Sequence, residues 1–189
     1  MRISLAIAVL LALGACSKQP QQPAANETAS APAEESGIKG VHRDNKDKAA
    51  PAAEFADSDG KPTTLAAFRG KPVLVNLWAT WCAPCVKELP TLDALARSGK
   101  VQVVAVSQDS GPEPSVVAFL KSHGIATLKP YHDPKMGLSG ALGPDTVLPT
   151  SMLIGADGKE VWRYVGDLDW TSPEAAKLLS EAGAARQAG

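Results

Sequence analysis

Val73-Leu74-Val75-Asn76-Leu77-Trp78-Ala79-Thr80-Trp81-Cys82-Ala83-Pro84-Cys85 is the stretch that decides the fold. Its first seven residues are almost continuously apolar and rich in β-branched side chains, as a central strand covered on both faces requires. The run ends directly at two cysteines separated by two residues. Beyond them Val86, Leu89, Leu92, Leu95 and Ala96 recur at helical spacing, and Gly99 provides a C-terminal stop. Val101 to Val106 reads as a second buried strand. The right-handed crossover of such a strand-helix-strand unit makes its two strands parallel.

Outward from this unit the alternation of strand and helix signals continues. Val116, Val117, Phe119 and Leu120 mark a helix that His123-Gly124 terminates, with the imidazole at the negative end of the dipole in a structural role. A short helix is expected over Lys135 to Leu142. Ser151 to Ile154 and Lys159 to Val165 form a hairpin across Asp157-Gly158, a favoured tight-turn pair. A last helix begins after Thr171-Ser172 with Pro173 in its first turn. The pattern predicts an α/β domain over residues 51–185. No internal repeat is evident.

The chain has 189 residues, 44% of them hydrophobic and 21% charged, which suits one globular domain plus additional segments. Its net charge of -1 offers no basic footprint for a phosphate backbone, so nucleic acid is not an expected partner. Three cysteines, at positions 16, 82 and 85, are too few to staple a small secreted domain. Residues 1–15 read as a targeting segment. The apolar stretch from Ile3 to Leu13 is too short for a span, which needs about 20 residues, and fits a signal-peptide core of roughly 7 to 15. It ends in Leu13-Gly14-Ala15-Cys16, which resembles the lipobox of bacterial lipoproteins and implies that Cys16 is lipidated and becomes the mature N-terminus. Two or three acyl chains would anchor the protein stably. Residues 16–50, rich in Ala, Pro, Gln, Glu and Ser, are expected to form a disordered linker, with the mixed-charge run His42 to Lys48 as its solvated end.

The two remaining cysteines carry the chemistry. A helix N-terminus offers unpaired N–H groups and a positive dipole end, which stabilise a thiolate. Cys82, nearer that end, is the expected attacking thiolate, and Cys85, one turn inward, the resolving thiol. Ala83 and Pro84, lying between them, are expected to tune the redox poise. Three other readings compete. A structural disulfide closing so short a loop restrains little of the unfolded chain. A zinc site would need ligands that His42, His123 and His132 do not convincingly complete. A single peroxidatic cysteine fits less well than a dithiol, because the cysteines are paired.

The quoted stretch, with Glu88 and Pro90 after it, resembles the TlpA and ResA family of thioredoxin-like reductases. So do Leu148-Pro149-Thr150-Ser151-Met152-Leu153-Ile154, Asp157-Gly158 and Arg163 to Gly166 downstream, and Asp57 to Lys61 and Leu65 to Pro72 upstream. The resemblance implies a thioredoxin-like fold, a central mixed sheet flanked by helices with an N-terminal hairpin extension. It implies a cis Pro149 against the cysteine loop, leaving the Leu148 backbone to pair with an extended peptide. Asn76 matches the position where thioredoxins in general carry an acid. Another base must therefore serve Cys85. Glu88 lies three residues beyond Cys85 on the same helix face, the relatives carry a glutamate there, and partial burial would raise its pKa into a useful range. Trp81 is expected as an exposed contact surface and Trp78 as core, while Trp162, Trp170 and His132 carry no functional signal.

The expected activity is therefore thiol-disulfide exchange in the reductase direction. The expected partners are exported thiol or disulfide proteins, such as apocytochrome c or copper-assembly factors, and a membrane electron donor. The redox disulfide is the sole expected redox group, with no cofactor or metal, in a monomer anchored at the extracytoplasmic or periplasmic face of a bacterial membrane. A thiol peroxidase, and a non-enzymatic metal- or partner-binding lipoprotein on the same scaffold, are the alternatives.

Overall fold

The computed structural model describes residues 39–144 and 146–184; the targeting segment, Cys16 and the linker as far as residue 38 lie outside the described residues, as does the expected domain end at 185. Eight strands, β1 (Gly40–His42), β2 (Phe55–Ala56), β3 (Pro62–Thr63), β4 (Val73–Trp78), β5 (Gln102–Ser107), β6 (Tyr131–His132), β7 (Thr150–Ile154) and β8 (Glu160–Val165), form one sheet in the order β1-β8-β7-β4-β5-β6-β2-β3. β4, β5 and β6 are parallel and the other pairings antiparallel, so the sheet is mixed. Among the described residues four helices accompany it: α1 (Ala83–Ser98), α2 (Glu113–Ser122), α3 (Gly137–Leu142) and α4 (Pro173–Ala184), with a 3-10 turn at Leu65–Phe68.

β4 explains its own composition. All six of its residues are buried, because the sheet is covered on both sides. Alternation along the strand sends Leu74 and Trp78 into the core beneath α1, α2 and α4, and Val73, Val75 and Leu77 into a second core with Phe55, Tyr131, Leu138 and Met152. The same period places Asn76 on the α1 side. Leu89 and Leu92 of α1 are wholly buried there, each worth about 1.5–3 kcal/mol relative to exposure. Gly99 closes α1 with φ 66°, a left-handed conformation that an L side chain adopts only with strain. Pro90 removes the N–H that would otherwise bond the Val86 carbonyl.

The linker expected to run to Ala50 ends earlier than the sequence reading placed it. β1 pairs with β8 through Gly40↔Val165, Val41↔Tyr164 and His42↔Arg163, and Ala49 bridges Lys159. Main-chain bonds from Asp47 N to Glu160 O (2.8 Å) and from Ala50 N to Gly158 O (2.9 Å) continue the pairing. Arg43 of the mixed-charge run forms an ion pair with Glu181. The physical reason is the open edge of β8, whose unpaired backbone groups take a partner strand whatever its side chains are. The hairpin of β2 and β3 is present, its turn held by Asp57 Oδ1, which accepts from Asp59 N (2.8 Å) and Lys61 N (2.9 Å).

Candidate active site

The head of α1 stands at the C-terminal end of the central strand β4. Cys82 is its N-cap residue, and Cys82 Sγ accepts a hydrogen bond from Cys85 N at 3.3 Å. Cys82 and Cys85 are joined as a disulfide with their Cα atoms 5.3 Å apart. Access to the two sulfurs differs. Cys82 retains 6% exposure and Cys85 none, which orders the pair into an outer and an inner sulfur. Ala83 and Pro84 between them are exposed, and Trp81 before them projects into solvent at 68% exposure.

Pro149 lies at the same end of the sheet. Leu77 of β4 is paired with Thr150 of β7, so the residue before Thr150 sits beside the residues that lead into the cysteines. The Leu148–Pro149 bond is cis, Pro149 is buried and Leu148 half-buried. Gly166 N donates to Pro149 O at 2.9 Å and ties this loop to the end of β8.

Glu88, one turn beyond Cys85, is 3% exposed. Its Oε1 accepts from Asn76 Nδ2 at 2.7 Å, and its Oε2 from Leu168 N and Trp170 Nε1, both at 3.2 Å. Burial pushes the Glu88 pKa from the ordinary 4.5 up to about 7. The three hydrogen bonds favour the carboxylate and oppose that shift, while the charge of Asp167 adds to it. A carboxyl poised near neutrality one helical turn from a buried cysteine is suited, once the disulfide is reduced, to take the thiol proton and return it.

Two contributors escaped the sequence reading. Trp170 was assigned no function, yet its indole is a donor to Glu88 from 82 residues away. Asp109, just past β5, accepts from Thr80 N, Thr80 Oγ1 (2.7 Å) and Ser107 Oγ (2.6 Å), which pins the loop entering Trp81 and Cys82. His132 approaches the Asp109 carbonyl through Nε2 at 2.7 Å. An acid directly after a buried strand that leads to the cysteine end of the sheet was the one available clue to Asp109.

An outer sulfur at a helix head, an inner sulfur behind it and a neutral-range carboxyl beneath suit thiol-disulfide exchange, and with this sheet they define a thioredoxin-like oxidoreductase. A family model described as Redoxin matches residues 45–179. The chain is 35% identical over 124 residues to a thiol-disulfide oxidoreductase ResA of Bacillus cereus, covering 64% of this chain and 69% of that protein. It is 35% identical over 106 residues to the thiol:disulfide interchange protein CycY of Rhizobium leguminosarum bv. viciae, covering 54% of each. The crystal structure of the exposed lipoprotein thioredoxin of Streptococcus pneumoniae aligns with a TM-score of 0.57 at 26% identity, over 68% of this chain and 98% of that one. The chain belongs to the redoxin family, in its TlpA/ResA-like branch of thiol-disulfide oxidoreductases.

Proposed function

We propose that the chain works as a reductase of disulfides in exported proteins, held near a bacterial membrane by lipid on Cys16 and recharged by a membrane electron donor. In the reduced protein the Cys82 thiolate, favoured by the α1 dipole and the Cys85 N–H, attacks a partner disulfide. A Cys82–partner disulfide forms and one partner sulfur leaves as thiolate. Glu88 then takes the Cys85 proton. The Cys85 thiolate attacks Cys82 Sγ, the Cys82–Cys85 bond forms, and the second partner sulfur departs with the electron pair. Two electrons and two protons have passed to the partner once its thiolates are protonated, and the donor returns them to the pair. Trp81 and the Leu148–Pro149 backbone serve as the docking surface for the partner peptide.

The observation that carries this reading is the buried Glu88 carboxyl, hydrogen-bonded to Asn76 one helical turn beyond the inner cysteine, because it offers the resolving step a base at neutral pH. The likeness to thiol-disulfide oxidoreductases supports the exchange chemistry, and the likeness to an exposed lipoprotein thioredoxin supports the anchor and an extracytoplasmic or periplasmic site. Among the described residues no helix is long and apolar enough to cross a membrane.

Equilibration of the pair with glutathione buffers tests the direction. A reductase should show a potential near or below about −250 mV, whereas a value near about −120 mV would make the protein an oxidant. Insulin reduction should require both Cys82 and Cys85; peroxide turnover that survives Cys85→Ser would instead identify a peroxidase. Cys16→Ser should release the protein from the membrane fraction.

A further inference from the structure

Both side-chain hydrogen bonds of Asn76 run through one atom. Nδ2 donates to Glu88 Oε1 at 2.7 Å and to Ser151 Oγ at 2.9 Å, while Oδ1 is buried without a partner. The side chain has no solvent exposure, and Ser151 retains 1%. Both partners are amphoteric. A serine hydroxyl donates or accepts, and a carboxyl accepts when ionised and donates when protonated. Turning the amide by half a revolution would exchange Nδ2 for Oδ1 at the same two contacts. One end of the amide goes unpaired in either orientation, so that penalty largely drops out of the choice between them. What decides is the proton on Glu88.

That proton has one suitable place. Oε2 already faces two groups, Leu168 N and Trp170 Nε1, that only donate. A proton on Oε2 would oppose both. A proton on Oε1 needs only an acceptor on the Asn76 side, and Oδ1 is idle. We propose that Asn76 is a positioning residue whose side-chain amide inverts as Glu88 changes protonation state, offering Nδ2 to the carboxylate and Oδ1 to the acid. Ser151 reverses with it, accepting in one state and donating in the other. The proposal rests on Glu88 as the base for Cys85. It explains how a carboxyl shut away from solvent keeps hydrogen-bond partners before and after it takes the thiol proton. It also gives a reason for an amide at this strand position, since neither a leucine nor an obligate donor could serve both states.

Other charges lie near Glu88. Asp167 follows β8 and is paired with Lys39 (3.5 Å) and with Lys87 of α1 (3.2 Å); Tyr164 of β8 lies near Glu88, Asp167 and Glu174 of α4. Asp167 adds to the upward shift that burial imposes on Glu88, and the choice of Asn76 atom stays with the Glu88 proton.

Nuclear magnetic resonance on the isotope-labelled full chain tests this directly. The Asn76 side-chain amide signals should move with the same midpoint as the Glu88 carboxyl carbon, near pH 7. Their nuclear Overhauser contacts to the Ser151 β-protons should be strong at about pH 8.5 and weaken several-fold by about pH 5.5, where about 97% of Glu88 is protonated. In Glu88→Gln the amide should hold one orientation across that range. Contacts that stay constant while Glu88 titrates would overturn the inversion and leave Glu88 as a base. A Glu88 carbon that does not titrate in this range would remove the base itself and the inversion with it. Amide signals that still move in Glu88→Gln would assign the change to another group and also refute the proposal.

Discussion

Glu88→Gln should make the protein more stable and less active, by amounts that depend on pH. The carboxyl titrates near 7 in the fold against an ordinary 4.5, so the folded state disfavours the charged form. The sign follows from proton binding. Between pH 4.5 and 7 the unfolded chain releases this proton while the folded protein keeps it, so stability contributed by Glu88 is intact in acid and is lost as pH rises through about 7. At pH 8 nearly the whole penalty, about 3 kcal/mol, is present; at pH 5 it is under about 1 kcal/mol, and near pH 4 it vanishes. Glutamine is neutral throughout and close in shape. Its NH2 group finds an acceptor only where Asn76 presents Oδ1, and its neutral amide oxygen is a weaker acceptor than a carboxylate for Leu168 N and Trp170 Nε1, which takes back part of the gain. Urea unfolding at pH 8 should therefore show Glu88→Gln more stable than the parent by about 2 kcal/mol, with the difference shrinking towards zero near pH 4. Titrations elsewhere in the molecule are common to both proteins and cancel. Over the same range the variant should lose about 10²-fold or more in the rate at which Cys85 resolves a mixed disulfide, as loss of a positioned base does. A stability difference that does not change with pH would mean that Glu88 has an ordinary pKa in the fold, and the proton-transfer account of resolution would be wrong.

The other predictions concern the elements around it. Cys85→Ser should accumulate a covalent Cys82–partner adduct, seen as a mass shift reversed by reductant, whereas Cys82→Ser should not; equal trapping by both would refute the outer and inner roles. Asp109→Ala strands Thr80 N, Thr80 Oγ1 and Ser107 Oγ. It should cost about 2 kcal/mol in urea unfolding and change the rate at which Cys82 is alkylated, through loss of the loop's anchor. Asp93 is 2% exposed, and although burial works against its charge, the N–H groups of Leu128 and Thr127 and the Arg97 guanidinium hold its pKa below the ordinary 3.8. Its stabilisation is thus present above pH 3.8 and lost as pH falls further. Asp93→Asn should cost about 1–2 kcal/mol at pH 7, and the difference should narrow in strong acid.

Much of the fold was legible because burial leaves a periodic record. The continuous apolar run of β4, the helical spacing of α1 with its Gly99 stop, and the Asp157-Gly158 turn between β7 and β8 are local signals, and each element is present where its residues placed it. β1 and β6 are not of that kind. Three and two residues long, they owe their existence to backbone pairing with β8 and β5, which needs no apolar pattern and so leaves none. The outer boundary of the domain was misjudged for the same reason.

Cys82, Cys85 and Glu88 were legible because they share one helix, where spacing alone fixes the shared face. Their setting was not. Asn76 reaches Glu88 across 12 residues, Ser151 reaches Asn76 across 75, and Trp170 reaches Glu88 across 82, contacts that exist only when β4, β7 and the segment before α4 close over α1. Sequence by itself placed the candidate groups, two sulfurs at a helix head and a carboxyl one turn beyond, because helical spacing fixes which residues share a face. Tertiary structure decided how the Glu88 carboxyl ionises, because desolvation and hydrogen bonding depend on every element that covers it, and no local stretch of chain contains that enclosure.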